Sequence, residues 1–256
     1  VNAQTSPPIE SGTWHIGVWR PDGTSYNILY SRDSDSSVHS GMGATVYEAG
    51  PAGDPGVAFR VWAPNASAVH LAGDFNAWSG SSAPMTSEAG GNWSLDVRAL
   101  AHGAPYQFVI TNGSSSAWKN DPRARELSSS VGHSIVQDPE IVHGGGVSFS
   151  MPDWNDLVIY ELHVGTFNDL AGGAPGNFAS AEAMMAYLAD LGINAIELMP
   201  VCEFAGDYSW GYNYGHPFSV EGVYGGRAGL AAFVDTAHQH GIAVLLDVLY
   251  NHWGPS

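Results

Sequence analysis

The sequence has a single cysteine and a single lysine. Cys202 alone cannot form an intrachain disulfide. It follows a predicted strand and reads as a small buried hydrophobe. Lys119 and seven arginines face 25 acidic residues, for a formal charge of −17. A surface so poor in cations repels phosphate backbones and anionic headgroups, so neither nucleic acid nor a membrane is expected as a partner. No apolar run approaches the length of a membrane span. No Gly-x-Ser-x-Gly elbow is present, so His143-Gly144-Gly145-Gly146 reads as a glycine-rich linker rather than an oxyanion loop. No glycine-rich fingerprint follows any predicted parallel strand, which argues against a dinucleotide-binding sheet.

Aromatic residues, by contrast, are plentiful: nine Trp, eleven Tyr and nine Phe in 256 residues. Such rings fill cores or stack on the apolar faces of sugars, and a neutral carbohydrate suits an acidic surface. The length exceeds one ordinary domain and accommodates one and a half or two.

Three regions follow from the local patterns. Residues 1–50 form an N-terminal extension. In it Trp14–Arg20 and Tyr26–Tyr30 flank Pro21-Asp22-Gly23-Thr24 and predict a β-hairpin; Ser31–Ser40 reads as a loop. Residues 51–150 read as all-β, with runs at Val57–Trp62, Ala68–Ala72, Trp93–Val97 and Tyr106–Thr111 between Gly, Pro, Asn and Ser clusters. That spacing predicts an immunoglobulin-like β-sandwich. From about residue 151 the period changes. Leu157–Val164 predicts a strand buried on both faces. Ser180–Leu191 predicts a helix with Ser180 at its N-cap and Gly192 at its end. Ile193–Met199 predicts a second strand, residues 228–240 a helix ending at Gly241, and Ile242–Leu249 a third strand. The βαβαβ order predicts part of a parallel α/β sheet or (β/α)8 barrel.

In parallel barrels, working residues sit where strands exit toward the C-terminal face. Here those places hold His163 and Thr166, then Glu203 and Trp210-Gly211-Tyr212-Asn213, then Asp247, Asn251 and His252. A helix cap or structural ion pair is the bland account of Asp247. It does not explain an imidazole following so closely beyond the same strand. His238 and His240 lie two apart on a predicted helix and so face different ways. They match no metal-ligand spacing and read as residues that complement the helix C-terminus.

Asp247-Val248-Leu249-Tyr250-Asn251-His252 resembles the first conserved region of the α-amylase family, glycoside hydrolase family 13. Asp190–Pro200, Trp210-Gly211-Tyr212 and Tyr224-Gly225-Gly226 fit the same family in order. Val158–Phe167 is similar to the first barrel strand of branching enzymes, isoamylases and trehalohydrolases. The resemblance implies that His252 donates a hydrogen bond to the sugar at the cleavage subsite and that Tyr212 stacks on that ring. It implies that Asp247 holds the subsite, with Trp210 in the same segment. Asn251 matches a position that binds structural calcium in many amylases. The other calcium ligands would lie beyond residue 256, so no cofactor is expected.

Phe59-Arg60-Val61-Trp62-Ala63-Pro64-Asn65-Ala66 with Gly73-Asp74-Phe75-Asn76-Ala77-Trp78 resembles the family 48 carbohydrate-binding module. In members that bind glycan, two tryptophans clamp the sugar, and Trp78 and Trp118 fall at those places. Gln107 stands where a lysine is expected.

The resemblance further implies a retaining mechanism with two carboxyl groups, which in this family follow the fourth and fifth barrel strands. Glu161, Glu197 and Glu203 match neither position. The chain starts at Val1 and stops just beyond the third strand, so it is expected to be a C-terminally truncated fragment, inactive alone. Location stays open, with the cytoplasm slightly favoured over export. Two readings remain. The first is the N-terminal portion of an α-glucan-active enzyme, a branching enzyme or related hydrolase acting on glycogen, starch or maltooligosaccharide. The second is a non-catalytic glycan-binding module with a vestigial barrel piece.

Overall fold

The computed structural model describes residues 14–19, 25–30, 36–48, 54–141, 145–169 and 171–255. The predicted turn at residues 21–24, residues 31–35 of the predicted loop, and His143-Gly144 of the predicted linker lie outside them. The chain divides into two compact units, Val1–Asp121 and Pro122–Ser256.

In the first unit, β1 (Trp14–Trp19) and β2 (Ser25–Tyr30) pair antiparallel, with Trp14 opposite Tyr30. Next come β3 (Gly43–Tyr47), β4 (Gly56–Trp62), β5 (Ala68–Gly73), the two-residue β6 (Thr86–Ser87), β7 (Asn92–Arg98), β8 (Pro105–Asn112) and β9 (Ser115–Lys119). One sheet runs β1-β2-β7-β4-β3, with β6 on β7. A second antiparallel set joins β5 to β8 and β8 to β9. Strand alternation puts Val57, Phe59 and Val61 of β4 into the core, and Leu71 and Phe108 of the second set are fully buried. Phe59 meets Tyr106 of β8 edge to face at 4.8 Å, which packs the two sheets together. The predicted all-β sandwich is therefore the fold of this unit.

On the outer side of β4, Arg60 directs all its donors inward to the protein. Its Nε and Nη2 donate to the Glu88 carboxylate at 2.9 and 3.0 Å. Its Nη1 and Nη2 also donate to the carbonyls of His39, Gly41 and Ser37. The rigid guanidinium fork suits such multiple donation. It binds residues 37–41 to the sheet and holds the Glu88 carboxyl below its usual range.

The second unit starts irregularly and carries the short strand β10 (Ser134–Ile135). A parallel sheet follows. Strand β11 (Ile159–Leu162) pairs with β12 (Ala195–Leu198), and β12 with β15 (Ala243–Leu246). Between β11 and β12 lie α1 (Val164–Phe167), α2 (Phe178–Glu182) and α3 (Met185–Asp190). Between β12 and β15 lie β13 (Cys202–Phe204), β14 (Tyr214–Val220) and α4 (Gly226–Gln239). Leu162, Ile196 and Leu198 of the sheet form one buried cluster with Phe178, Met185, Leu188, Phe233 and Ala237 of the helices.

Three details differ from the sequence expectations. The helix predicted over Ser180–Leu191 is two helices broken at Met184, whose ψ of 2° is not helical. Its N-cap is Asn177, which accepts from the Ser180 amide at 2.8 Å, while Ser180 returns a bond to the Asn177 amide. This reciprocal box needs the cap three residues earlier than predicted. The first parallel strand is buried on one face only: Ile159 and Glu161 are exposed while Leu162 is buried, because the helices cover a single side.

Candidate functional site

Strand exits gather around the β13–β14 hairpin. His163, directly after β11, uses Nε2 on the Ser209 carbonyl at 2.8 Å and Nδ1 on Thr166 Oγ1 at 2.9 Å. The buried Tyr224 hydroxyl lies 3.2 Å from the same His163 Nε2. The loop from residue 205 to 213 is thus tied down one residue before Trp210. Gly211 then turns the chain at φ +85°, and a Cβ there would collide with the Pro200 carbonyl. Only glycine satisfies both demands. The turn leaves Trp210 71% exposed and sends Tyr212 toward the end of β15. There the Tyr212 hydroxyl donates to Asp247 Oδ2 at 2.7 Å. That bond, with the neighbouring Glu161 and Glu197 carboxylates as lesser causes, pushes the Tyr212 phenol up to about 12.

Asp247 is seated by its own backbone: its amide donates to the Leu198 carbonyl at 2.9 Å, continuing the ladder of β12 and β15. Beyond it, Tyr250 and Trp253 pack edge-on against Tyr214 at 5.9 and 5.2 Å, and Gly254 donates to the Tyr214 carbonyl. The segment holding Asn251 and His252 is therefore pinned to the base of the same hairpin, and both side chains are exposed. Tyr212 and Asp247 are brought into contact. Trp210 and His252 stand on adjoining segments without a described bond between them. Asn251 reaches no carboxylate, and among the described residues no group of three or more His, Cys, Asp or Glu is arranged to hold a metal ion.

In the first unit, Gly73–Ser82 forms a tight loop around buried Asn76. Its Oδ1 accepts from the Gly73 amide, and its Nδ2 donates to the Leu71 and Ser79 carbonyls and to Ser82 Oγ. Ala77 and Trp78 both take left-handed φ, 52° and 58°, strain that this network over-determines. The Trp78 indole N–H is fixed on Asp74 Oδ1 at 2.7 Å. Trp118, 46% exposed on β9, lies over Gly80: a Cβ there would sit 3.2 Å from its ring. Trp78 stands two residues before Gly80 in this loop. Gln107 donates to Asn120 at 2.9 Å.

The sequence reading placed Glu203 at a strand exit. It missed that the hairpin buries this carboxylate opposite His216, with Glu221 close by. The available signal was the alternation through Tyr214–Val220. His238 stands in the last turn of α4, as the sequence reading expected, and its ring stacks on Phe149 at 4.1 Å.

A β-sandwich unit followed by a parallel βαβαβ unit, with aromatic and acidic groups at the strand exits, has the architecture of the first part of a (β/α)8 barrel behind an all-β domain. Comparison with known families agrees. Residues 41–124 match carbohydrate-binding module 48 (isoamylase N-terminal domain), and residues 161–256 match the alpha amylase catalytic domain. A malto-oligosyltrehalose trehalohydrolase from Deinococcus radiodurans is 35% identical, over 80% of this chain and 32% of that protein. A 1,4-alpha-glucan branching enzyme GlgB from Pseudomonas putida is 37% identical, over 78% of this chain and 29% of that protein. The solved structure of a putative alpha amylase from Salmonella typhimurium superposes with a TM-score of 0.70 at 33% identity, covering 85% of this chain and 34% of that one. The chain belongs to the α-amylase family, glycoside hydrolase family 13, and carries a module 48 region followed by part of the catalytic domain. It spans about a third of the length of these curated relatives.

Proposed function

We propose that this chain is the glucan-holding N-terminal portion of a retaining α-glucan-active enzyme, a 1,4-α-glucan branching enzyme or a related glycoside hydrolase. The observation that carries the reading is the Tyr212–Asp247 bond, which joins the loop after the second parallel strand to the exit of the third. With its hydroxyl engaged, Tyr212 offers its ring face to the C–H face of a pyranose. Asp247 keeps a second oxygen for a sugar hydroxyl. Trp210 and His252, both exposed beside it, extend the contact. These groups bind and orient; the nucleophile and the acid/base belong to other parts of the enzyme. The organisation proposed is an extension over 1–50, a glycan-binding sandwich over 51–150 and the first three barrel strands over 151–256. Asn251 is assigned no calcium.

In the sandwich, Trp78 and Trp118 form a second contact with an α-1,4-glucan. The placement of Trp118 over Gly80, two residues beyond Trp78, supports this, and it also supports the reading in which glycan binding is the only activity. Retention on insoluble starch tests it. The purified chain should be retained, and Trp78→Ala and Trp118→Ala should each weaken retention, because each removes a large apolar ring face on which a pyranose stacks. Failure of the wild-type chain to bind would sink the module assignment. Loss on Tyr212→Ala alone would move binding to the barrel part.

A further inference from the structure

The β13–β14 hairpin carries a cluster of buried titratable groups in its stem. Glu203 is 1% exposed, His216 5% and Glu221 1%. Glu203 and His216 are direct Cα partners across the hairpin, so their side chains leave the same face. The register shifts on both sides of Glu203, and such irregularities re-aim a side chain. Glu203 Oε2 accepts from the Gly222 amide at 2.9 Å, and Glu221 accepts from the amides of Phe204 and Val223. Glu203 Oε1 and both ring nitrogens of His216 are buried without any partner. A neutral imidazole always keeps one donor and one acceptor. The groups left over on the two opposed residues are therefore complementary, an acid and a base on one face of the hairpin.

We propose that Glu203 and His216 act as a proton-compensated positioning pair that keeps the hairpin, and with it Trp210 and Tyr212, in one place across mildly acidic pH. The proposal deepens the glucan-holding role given above and rests on that reading for its purpose. The proton count is the physical core. Burial first, then the Glu221 charge, lifts the Glu203 carboxyl to about 7, and burial lowers the His216 ring below its usual range. In the folded stem a proton is drawn toward Glu203 and away from His216. In the opened stem the ordinary preference returns, and the proton favours His216 over Glu203. Opening therefore makes one member release a proton while the other takes one up. The pair then adds less pH slope to the stability of the hairpin than either member alone.

Each member alone has a slope, and the signs oppose. Glu203, raised in the fold, contributes stability that is full below about 4.5 and is lost as pH rises through about 7. His216, lowered in the fold, contributes stability that is full above 6.5 and is lost as pH falls. The other titratable groups of this region are Cys202 and Tyr214 on the hairpin strands, Asp207 in its loop, Glu221 and Tyr224 beyond β14, His163 behind Tyr224, and Arg227 at the start of α4. Among the described residues no lysine or arginine forms an ion pair with Glu203 or Glu221. Glu221, also raised, remains in the wild type and in both variants, and a Glu221→Gln background removes its own slope from the comparison.

Hydrogen–deuterium exchange over residues 200–224, corrected for intrinsic rates, measures the opening directly between pH 5 and 6.5. Relative to wild type, Glu203→Gln should open more readily as pH falls, and His216→Gln as pH rises. Each change should approach about tenfold per pH unit, the limit for one proton. A role limited to packing would weaken the hairpin equally at every pH. Curves for both variants parallel to wild type overturn the proposal. If Glu203→Gln does not fold, the slope of His216→Gln decides alone. No glucan enters this measurement, so its failure is separate from any failure of starch retention.

Discussion

At the scale of single residues, the hydroxyl of Tyr212 is the clearest informant. Its proton is shared with Asp247 at 2.7 Å, so ionising the phenol would place two negative charges in contact. Spectrophotometric titration, taken as the difference between wild type and Tyr212→Phe, should find this tyrosine near 12. Asp247→Asn should return it toward its ordinary value of about 10; an unchanged midpoint in that variant would refute the assigned cause. Tyr212 and Asp247 were both legible as site residues from the motifs they stand in. Their bond was not, because 35 positions separate them and only the parallel pairing of β12 with β15 brings the loop and the strand exit together. Arg60 teaches the converse. Its motif was read as part of a glycan-binding module, yet its own task is to fasten residues 37–41 to the sheet. Motif membership does not separate a residue that touches ligand from one that holds the fold.

At the scale of elements, the turn at Gly211 decides where the aromatic loop points. Gly211→Ala demands both a left-handed φ of +85° and room that the Pro200 carbonyl occupies. It should cost about 2–4 kcal/mol of local stability, expose residues 205–213 to limited proteolysis and weaken glucan binding, while far-UV circular dichroism stays near wild type. An intact, protease-resistant loop would show that the turn has another way to close. The helix predicted over Ser180–Leu191 breaks at Met184, since periodicity marks the buried face (Ala181, Met185, Leu188) but carries no signal for a lost backbone bond. The helix predicted over residues 228–240 is α4, and it begins two residues earlier, at Gly226. Tyr224-Gly225-Gly226 places glycine at the cap, where φ is 108°, and the buried Tyr224 ring packs on Phe178 and Phe204. The β13–β14 hairpin was missed because β13 has three residues and irregular pairing, too little for a period of two to register.

At the scale of the whole chain, two units carry the fold, divided at Asp121 and Pro122. Glu161 and Glu197 are register partners on neighbouring parallel strands, yet neither stands in a catalytic motif of the family. The purified 256-residue chain should therefore release no reducing sugar from glycogen or starch. Measurable release that disappears with Glu161→Gln or Glu197→Gln would overturn that expectation and relocate the chemistry. What the sequence determined by itself is the class of fold, the α-amylase resemblance and the family of residues at the strand exits, because hydrophobic period, turn chemistry and contiguous motifs are local. What the tertiary structure alone decided is which of those residues meet. Tyr212 finds Asp247, Trp118 lies across Gly80, and Glu203 is buried opposite His216, since pairing between distant segments arises from packing and is not fixed by local order.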